Sequence, residues 1–176
     1  MADTDISLWL RPQEPLRTTL SAIVRRLARD LQAIEFEPHV TVFCGRSSDE
    51  EAEETAREIA ARFPPMELTA ERLGYTSSFT KTLFVEFLES ASARELSEAA
   101  RRGCARPSDY VFRPHLSLVY KTLLEARQRQ LCGSLDVPMG AYVFDRIRMI
   151  ETRLPIAEAA AVRQWREVCD VALKGR

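Results

Sequence analysis

Histidine is almost absent from this chain. Its 176 residues include two, His39 and His115. Two residues cannot build an all-histidine zinc site, so any imidazole chemistry runs through His39, His115 or both. An excess of either charge sign is also missing: 25 Lys and Arg face 26 Asp and Glu, for a formal charge of −1. Proteins that grip long nucleic acid usually carry a basic excess, so that class is disfavoured, while a local basic pocket stays open. No apolar run approaches the ~20 residues that cross a bilayer as a helix, and no membrane association is expected. The N-terminus has Asp3 and Asp5 where a secretory signal would carry Lys or Arg. The chain is therefore read as intracellular, with a cytoplasmic location expected. Cys44, Cys104, Cys132 and Cys169 are irregularly spaced and form no C-x-x-C pair. That points to free thiols, although spacing alone does not exclude a disulfide.

What is present suits an ordinary soluble protein: 45% of residues are hydrophobic and 29% charged. The length predicts a single domain spanning residues 1–176, large enough to bury a core. Ile6–Arg11 reads as a strand closed by Pro12. Leu16, Leu20, Ile23, Val24, Leu27 and Leu31 then fall at helical spacing, with Arg17, Arg25, Arg26 and Arg29 on a solvated face. His39–Phe43 is a β-rich run begun by Pro38. Ser48 and Glu51 form a capping-box pattern ahead of a helix bearing Ala52, Ala56, Ile59 and Phe63, which Pro64 and Pro65 stop. Met66–Gly74 is a strand.

The same order then returns. Leu83–Leu88 reads as a strand. Ser92 and Glu95 suggest the start of a helix carrying Leu96, Ala99 and Ala100, with Gly103 as its stop. His115–Tyr120 is a strand begun by Pro114. Thr122 and Glu125 suggest a further helix closed by Gly133, and Val143–Glu151 a strand. Trp165–Leu173 is a last strand, with an Ala-rich, possible helical approach. Strand, helix, strand with His, helix, strand is thus read twice, as a weak internal duplication with a period near 75 residues, 76 between the histidines. Two such halves predict related lobes around one shared sheet system.

Both histidines sit in one pattern: Pro, His, aliphatic, hydroxyl, aliphatic. It reads Pro38-His39-Val40-Thr41-Val42 and Pro114-His115-Leu116-Ser117-Leu118. Strand side chains alternate, so His39 and Thr41 share one face and His115 and Ser117 share another, with the aliphatics opposite. By the same alternation Cys44 falls with Val40 and Val42 and is read as buried. Two such strands would surround one cavity with two imidazoles and two hydroxyls. That set suits in-line displacement at phosphorus: one imidazole deprotonates water and the other protonates the leaving oxygen. The hydroxyls would donate to the non-bridging oxygens. A metallophosphoesterase would need more clustered His and Asp, so neither a metal nor another cofactor is expected. A serine nucleophile is disfavoured, since no G-x-S-x-G is present.

Paired H-x-[ST]-x motifs at this spacing, in a chain of this size, resemble the 2H phosphoesterase superfamily, and most of all its plant- and yeast-type cyclic nucleotide phosphodiesterases. The likeness covers most of the chain: Ser7-Leu8-Trp9, residues 38–42, Ser78-Phe79, residues 114–120, and Gln164-Trp165-Arg166-Glu167-Val168. The resemblance implies a bilobal α+β fold, with two pseudo-symmetric lobes of antiparallel sheet and outer helices around a central cleft. It also implies metal-independent hydrolysis of nucleoside 2′,3′-cyclic phosphates to 2′-phosphates, with ADP-ribose 1″,2″-cyclic phosphate among the substrates. His39 and His115 would be the acid–base pair, with His115 as base and His39 as acid on the 3′-oxygen. Thr41 and Ser117 would hold the phosphate, Tyr120 would line the cleft, and Phe79 and Trp9 would pack near the nucleoside. The expected partner is a small cyclic phosphate, with no stable nucleic-acid partner, and the expected state is a monomer. Around Phe79 the sequence Ser77-Ser78-Phe79-Thr80-Lys81 is more polar than the resemblance implies; Lys81 reads as a loop lysine or an extra positive charge at the phosphate. Two rival readings differ in kind: an enzyme acting on cyclic-phosphate RNA ends, which needs a basic track, and a non-catalytic phosphate or RNA-end binding module.

Overall fold

The computed structural model describes residues 4–104 and 106–175. Among these, the chain runs β1 (Thr4–Pro12), α1 (Leu16–Leu31), β2 (Val40–Ser47), α2 (Asp49–Arg62), β3 (Met66–Tyr75), β4 (Leu83–Phe87), α3 (Ala91–Gly103), β5 (His115–Val119), α4 (Glu125–Ser134), β6 (Gly140–Thr152), α5 (Ala159–Arg163) and β7 (Arg166–Ala172). A 3-10 turn at Phe79–Lys81 precedes β4. The protein is α+β, and all its strand pairings are antiparallel. The expected repeat is present as β1–α1–β2–α2–β3 followed by β4–α3–β5–α4–β6.

Strand order is β1-β2-β5-β4-β3-β6-β7, with β1 also paired to β6. The long β6 strand makes this possible. Gly140–Phe144 pairs with β3, while residues from Phe144 to Thr152 pair with β1. The weakest seam lies between β2 and β5, which share one residue pair, Val40 with Leu116. Each of these residues directly follows a histidine. The two motifs therefore start side by side where the sheet opens.

Local sequence explains the helices. In α1 the apolar stripe Leu20, Ile23, Val24, Leu27 and Ala28 is buried, and Arg25, Arg26 and Arg29 face solvent. The capping box of α2 is complete: Ser48 Oγ accepts from Glu51 N–H at 3.3 Å, and Ser48 N–H donates to Glu51 Oε2 at 3.1 Å. Three expected boundaries differ. Ser90, two residues before Ser92, caps α3 by accepting from Ala93 N–H. Helix α3 does end at Gly103 as expected, where a Cβ would lie 2.5 Å from the Thr55 side chain on α2. Helix α4 begins after Leu124 without a side-chain cap and runs past Gly133, so neither Thr122 nor Gly133 bounds it.

The motif aliphatics anchor the core as alternation requires. Val40, Val42, Leu116 and Leu118 are all buried beneath α1 and α3. Truncating one of them to Ala would cost about 2–5 kcal/mol.

Candidate active site

Each motif strand carries a bulge at the same place. On β2, Phe43 pairs with Leu8 and Thr41 with Trp9, so Val42 has no partner on β1. On β5, Val119 pairs with Leu83 and Ser117 with Phe84, so Leu118 has none on β4. An extra residue reverses the alternation beyond it. Cys44 and Tyr120, each five residues after its histidine, consequently turn to the side of the motif hydroxyls. Both line the central cavity. This corrects the placement of Cys44 with Val40 and Val42, which assumed unbroken alternation. It also explains how Tyr120, at an odd offset from Ser117, reaches the cleft.

The two imidazoles are anchored alike. His39 Nδ1 lies 2.6 Å from the Glu37 carbonyl and His115 Nδ1 lies 2.8 Å from the Arg113 carbonyl. A carbonyl can only accept, so Nδ1 carries the hydrogen in both rings and Nε2 is the nitrogen left for chemistry. In each case the accepting carbonyl lies two residues back, across the motif proline. With its φ restricted by the ring, that proline presets the turn bringing the carbonyl to the imidazole.

The cavity has a volume of about 370 Å³. His39, Thr41, His115, Tyr120 and Trp9 all line it. Two other expected residues do not reach its wall. Phe79 packs behind Tyr120, with ring centroids 6.1 Å apart. The buried Ser117 hydroxyl donates to the Thr80 carbonyl at 2.7 Å. Trp9 lies face to face with His39, centroids 3.6 Å apart and planes 9° from parallel. Its indole N–H donates to Ser7 Oγ at 2.7 Å.

Sequence reasoning missed several wall residues. Ser78 and Thr80 come from the polar loop before β4, and Tyr110 from the loop before the second motif. Leu154, Pro155, Ile156 and Trp165 supply an apolar wall from the chain beyond β6. Trp165 has no site role in the sequence reading; its edge-on contact with Trp9, at 4.9 Å, brings it to the cavity. The polar character of residues 77–81 was the one available signal for Ser78 and Thr80.

Burial dominates the electrostatics. It pushes His39 down to about 3, against the bond to the Glu37 carbonyl, with His115 and Arg148 lowering it further. His115 is lowered too, again chiefly by burial, with Lys81 lowering it and Glu86 opposing. The Cys44 thiol is pushed up to about 11 by burial, so it stays protonated at neutral pH. Lys81 sits 4.4 Å from the centre of the Phe84 ring and is itself lowered by burial. Among the described residues, no Lys, Arg, Asp or Glu lines the cavity, and no group of three or more His, Cys, Asp or Glu is placed to hold a metal ion.

This geometry defines a class, an α+β two-histidine phosphoesterase fold. Solved structures share the fold. The Thermus thermophilus protein TT0787 has a TM-score of 0.64 at 15% identity, over 98% of this chain and 99% of that one. E. coli LigT in apo form has a TM-score of 0.60 at 14% identity, over 99% of both chains. LigT complexed with 3′-AMP has a TM-score of 0.59 at 15% identity, again over 99% of both. No curated protein sequence matches the chain. The family profile of the 2′-5′ RNA ligase superfamily matches residues 12–154. The chain belongs to that superfamily, the 2H phosphoesterases. No described helix is long and apolar enough to cross a membrane.

Proposed function

We propose that this protein hydrolyses cyclic phosphodiesters, converting nucleoside 2′,3′-cyclic phosphates to 2′-phosphates, in the manner of the plant- and yeast-type cyclic phosphodiesterases. One observation carries the reading: two imidazoles with identically anchored Nδ1 atoms line one cavity. One Nε2 accepts a proton from water as its oxygen attacks phosphorus. The other Nε2 donates a proton to the departing 3′-oxygen, and both Nδ1 hydrogens stay on their carbonyls. Solvent resets the pair after turnover. The Thr41 hydroxyl, on the cavity wall, donates to a non-bridging oxygen.

The lining supports a small substrate over an RNA end. It carries no cation among the described residues, and many surface arginines are paired with carboxylates, including Arg25 with Glu35, Arg57 with Glu53 and Arg166 with Asp49. An uninterrupted basic track is what an RNA-end enzyme would need. The two rings divide the work unequally. Burial weighs more on His39, so the first proton in the empty cavity goes to His115. That favours His39 as base and His115 as acid, the reverse of the partition drawn from the resemblance.

The test is turnover of 2′,3′-cAMP in the presence of EDTA, with the product identified by phosphorus NMR. Metal-independent formation of 2′-AMP, lost in His39→Ala and His115→Ala, supports the reading. Activity abolished by EDTA, or surviving in the double variant, overturns it. Tight binding of 2′-AMP without turnover would favour the binding module.

A further inference from the structure

Behind the His39 side of the cavity lies a cluster of charged side chains that the acid–base reading does not use. The Glu37 carboxylate accepts from Arg11 Nε at 2.7 Å and from Arg148 at 2.5 Å. Asp170 accepts from Arg148 Nε and Nη2 at 2.9 and 2.6 Å, from Arg146 at 2.5 Å, and from Arg11. These residues come from β1, the approach to β2, β6 and β7. Side-chain exposure is 11% for Arg11, 12% for Asp170, 19% for Arg148 and 25% for Glu37. Ion pairs buried this deeply add little net stability, because desolvation offsets most of the attraction. Their placement suggests another role. Glu37 is the residue whose carbonyl holds His39 Nδ1–H. On the other side, His115 is held by the carbonyl of Arg113, whose side chain is exposed.

We propose that Glu37 and Arg148 are positioning residues for His39: their ion pair locks the carbonyl that orients the imidazole and sets the balance of charge the imidazole experiences. The charged or titratable groups around His39 are His115 from β5, Arg148 from β6 and the Glu37 carboxylate on its own segment. Arg11 on β1 and Asp170 on β7 act through that pair. Cys44 from β2 and Tyr120, just after β5, share the cavity wall and are both raised by burial, so they stay neutral; Trp9, Phe36 and Trp165 are uncharged rings. Arg148 disfavours a charged His39, and the Glu37 and Asp170 carboxylates are its ion-pair partners. The signs follow. Glu37→Gln and Asp170→Asn leave Arg148 less balanced, so His39 protonates at lower pH. Arg148→Gln removes the cation, so His39 protonates at higher pH. A merely structural cluster, loosened from either end, would move both in one direction or neither.

The inference deepens the proposed acid–base role, yet its test needs no turnover. With two histidines in the chain, each imidazole Cε1–H can be assigned by its loss in His39→Ala or His115→Ala. The full-length protein is titrated by NMR in chloride, an anion that does not itself titrate in this range. Expected are opposite displacements of the His39 midpoint, on the order of half a pH unit each, with Arg148→Lys near wild type and His115 little moved. Displacements in the same direction, or none, overturn the proposal. Should Arg148→Gln fail to fold, Glu37→Gln alone decides, since the absence of a downward shift is contradictory. Opposite shifts in a protein that turns over no cyclic phosphate would leave this inference standing and remove the proposed function. Turnover without the shifts would do the reverse.

Discussion

The two motif strands share a register, a bulge and a histidine anchor, yet their surroundings differ. His39 is buried under the face of Trp9, and the ion-pair cluster braces the carbonyl behind it. His115 is half-buried. It meets only the edge of Phe84, at 5.7 Å and 78°, with Lys81 over that same ring. Trp9 and Phe84 are equivalent, since each pairs with the motif hydroxyl of its neighbouring strand. Gly74, opposite Phe84, is needed because a Cβ there would meet the phenyl ring at 2.7 Å. The hydroxyls also diverge: Thr41 faces the cavity, while Ser117 donates to Thr80. A repeated backbone places two equal groups, and unequal packing then gives them unequal proton affinities. Acid–base chemistry needs that difference, because one imidazole must be neutral while the other is charged.

The sharpest way to break the comparison is to remove each imidazole. His39→Ala and His115→Ala should each lower kcat by about 10²–10⁴-fold. A substrate with sulfur in place of the 3′-oxygen leaves without protonation. It should rescue His115→Ala and not His39→Ala if the burial difference assigns the roles; the opposite rescue would restore the partition implied by the resemblance. The hydroxyls come next. Thr41→Val loses a hydrogen bond to a charged phosphate and should cost about 10- to 100-fold in kcat/KM. Ser117→Ala should cost less than about tenfold, because its hydroxyl bonds the Thr80 carbonyl instead. Equal losses, read by steady-state kinetics, would mean that Ser117 turns to the phosphate when substrate binds.

The pH dependence follows from the sign of the shifts. Both imidazoles protonate below the ordinary value of 6.5, so the singly protonated free enzyme becomes scarcer as pH rises. Above 6.5, kcat/KM should therefore fall by about tenfold per pH unit. The anionic substrate raises both proton affinities, so kcat should fall later. A kcat/KM profile that is flat from pH 6 to 8 (on the order of one unit either side of neutrality) would contradict the lowered values. The smallest effect contrasts helices of the two halves. Ser48→Ala removes half of the α2 capping box and should cost about 1 kcal/mol of stability in denaturant unfolding. Thr122→Ala, ahead of the uncapped α4, should cost nothing measurable.

Much of this was legible in the sequence, for identifiable reasons. The α1 stripe and the α2 capping box are local signals, and both elements form where expected. The twofold order of elements was readable because each half repeats its apolar periods around a proline-histidine pair. The bulges at Val42 and Leu118 were not readable. Alternation of apolar and polar residues is the same with or without an extra residue until the neighbouring strand is known. That single omission misplaced Cys44. Cap residues at Ser92 and Thr122 matched a pattern that Ser90 and the chain before α4 do not follow. The Arg11, Glu37, Arg148 and Asp170 cluster joins residues up to 159 positions apart, beyond any local pattern. Thr80 and Tyr110 reach the cavity on loops, whose course depends on tertiary bonds such as Thr82 Oγ1 to the Lys121 carbonyl and Tyr110 OH to the Thr41 carbonyl.

The central claim is that both histidines act on one phosphorus in one cavity. A crystal structure of the protein with 2′-AMP tests it most directly. The account predicts the phosphate between the two imidazoles, each Nε2 about 2.6–3.2 Å from a phosphate oxygen or the adjacent 3′-hydroxyl, with the Thr41 hydroxyl donating to it. A phosphate reached by one imidazole alone, or seated outside this cavity, would contradict it.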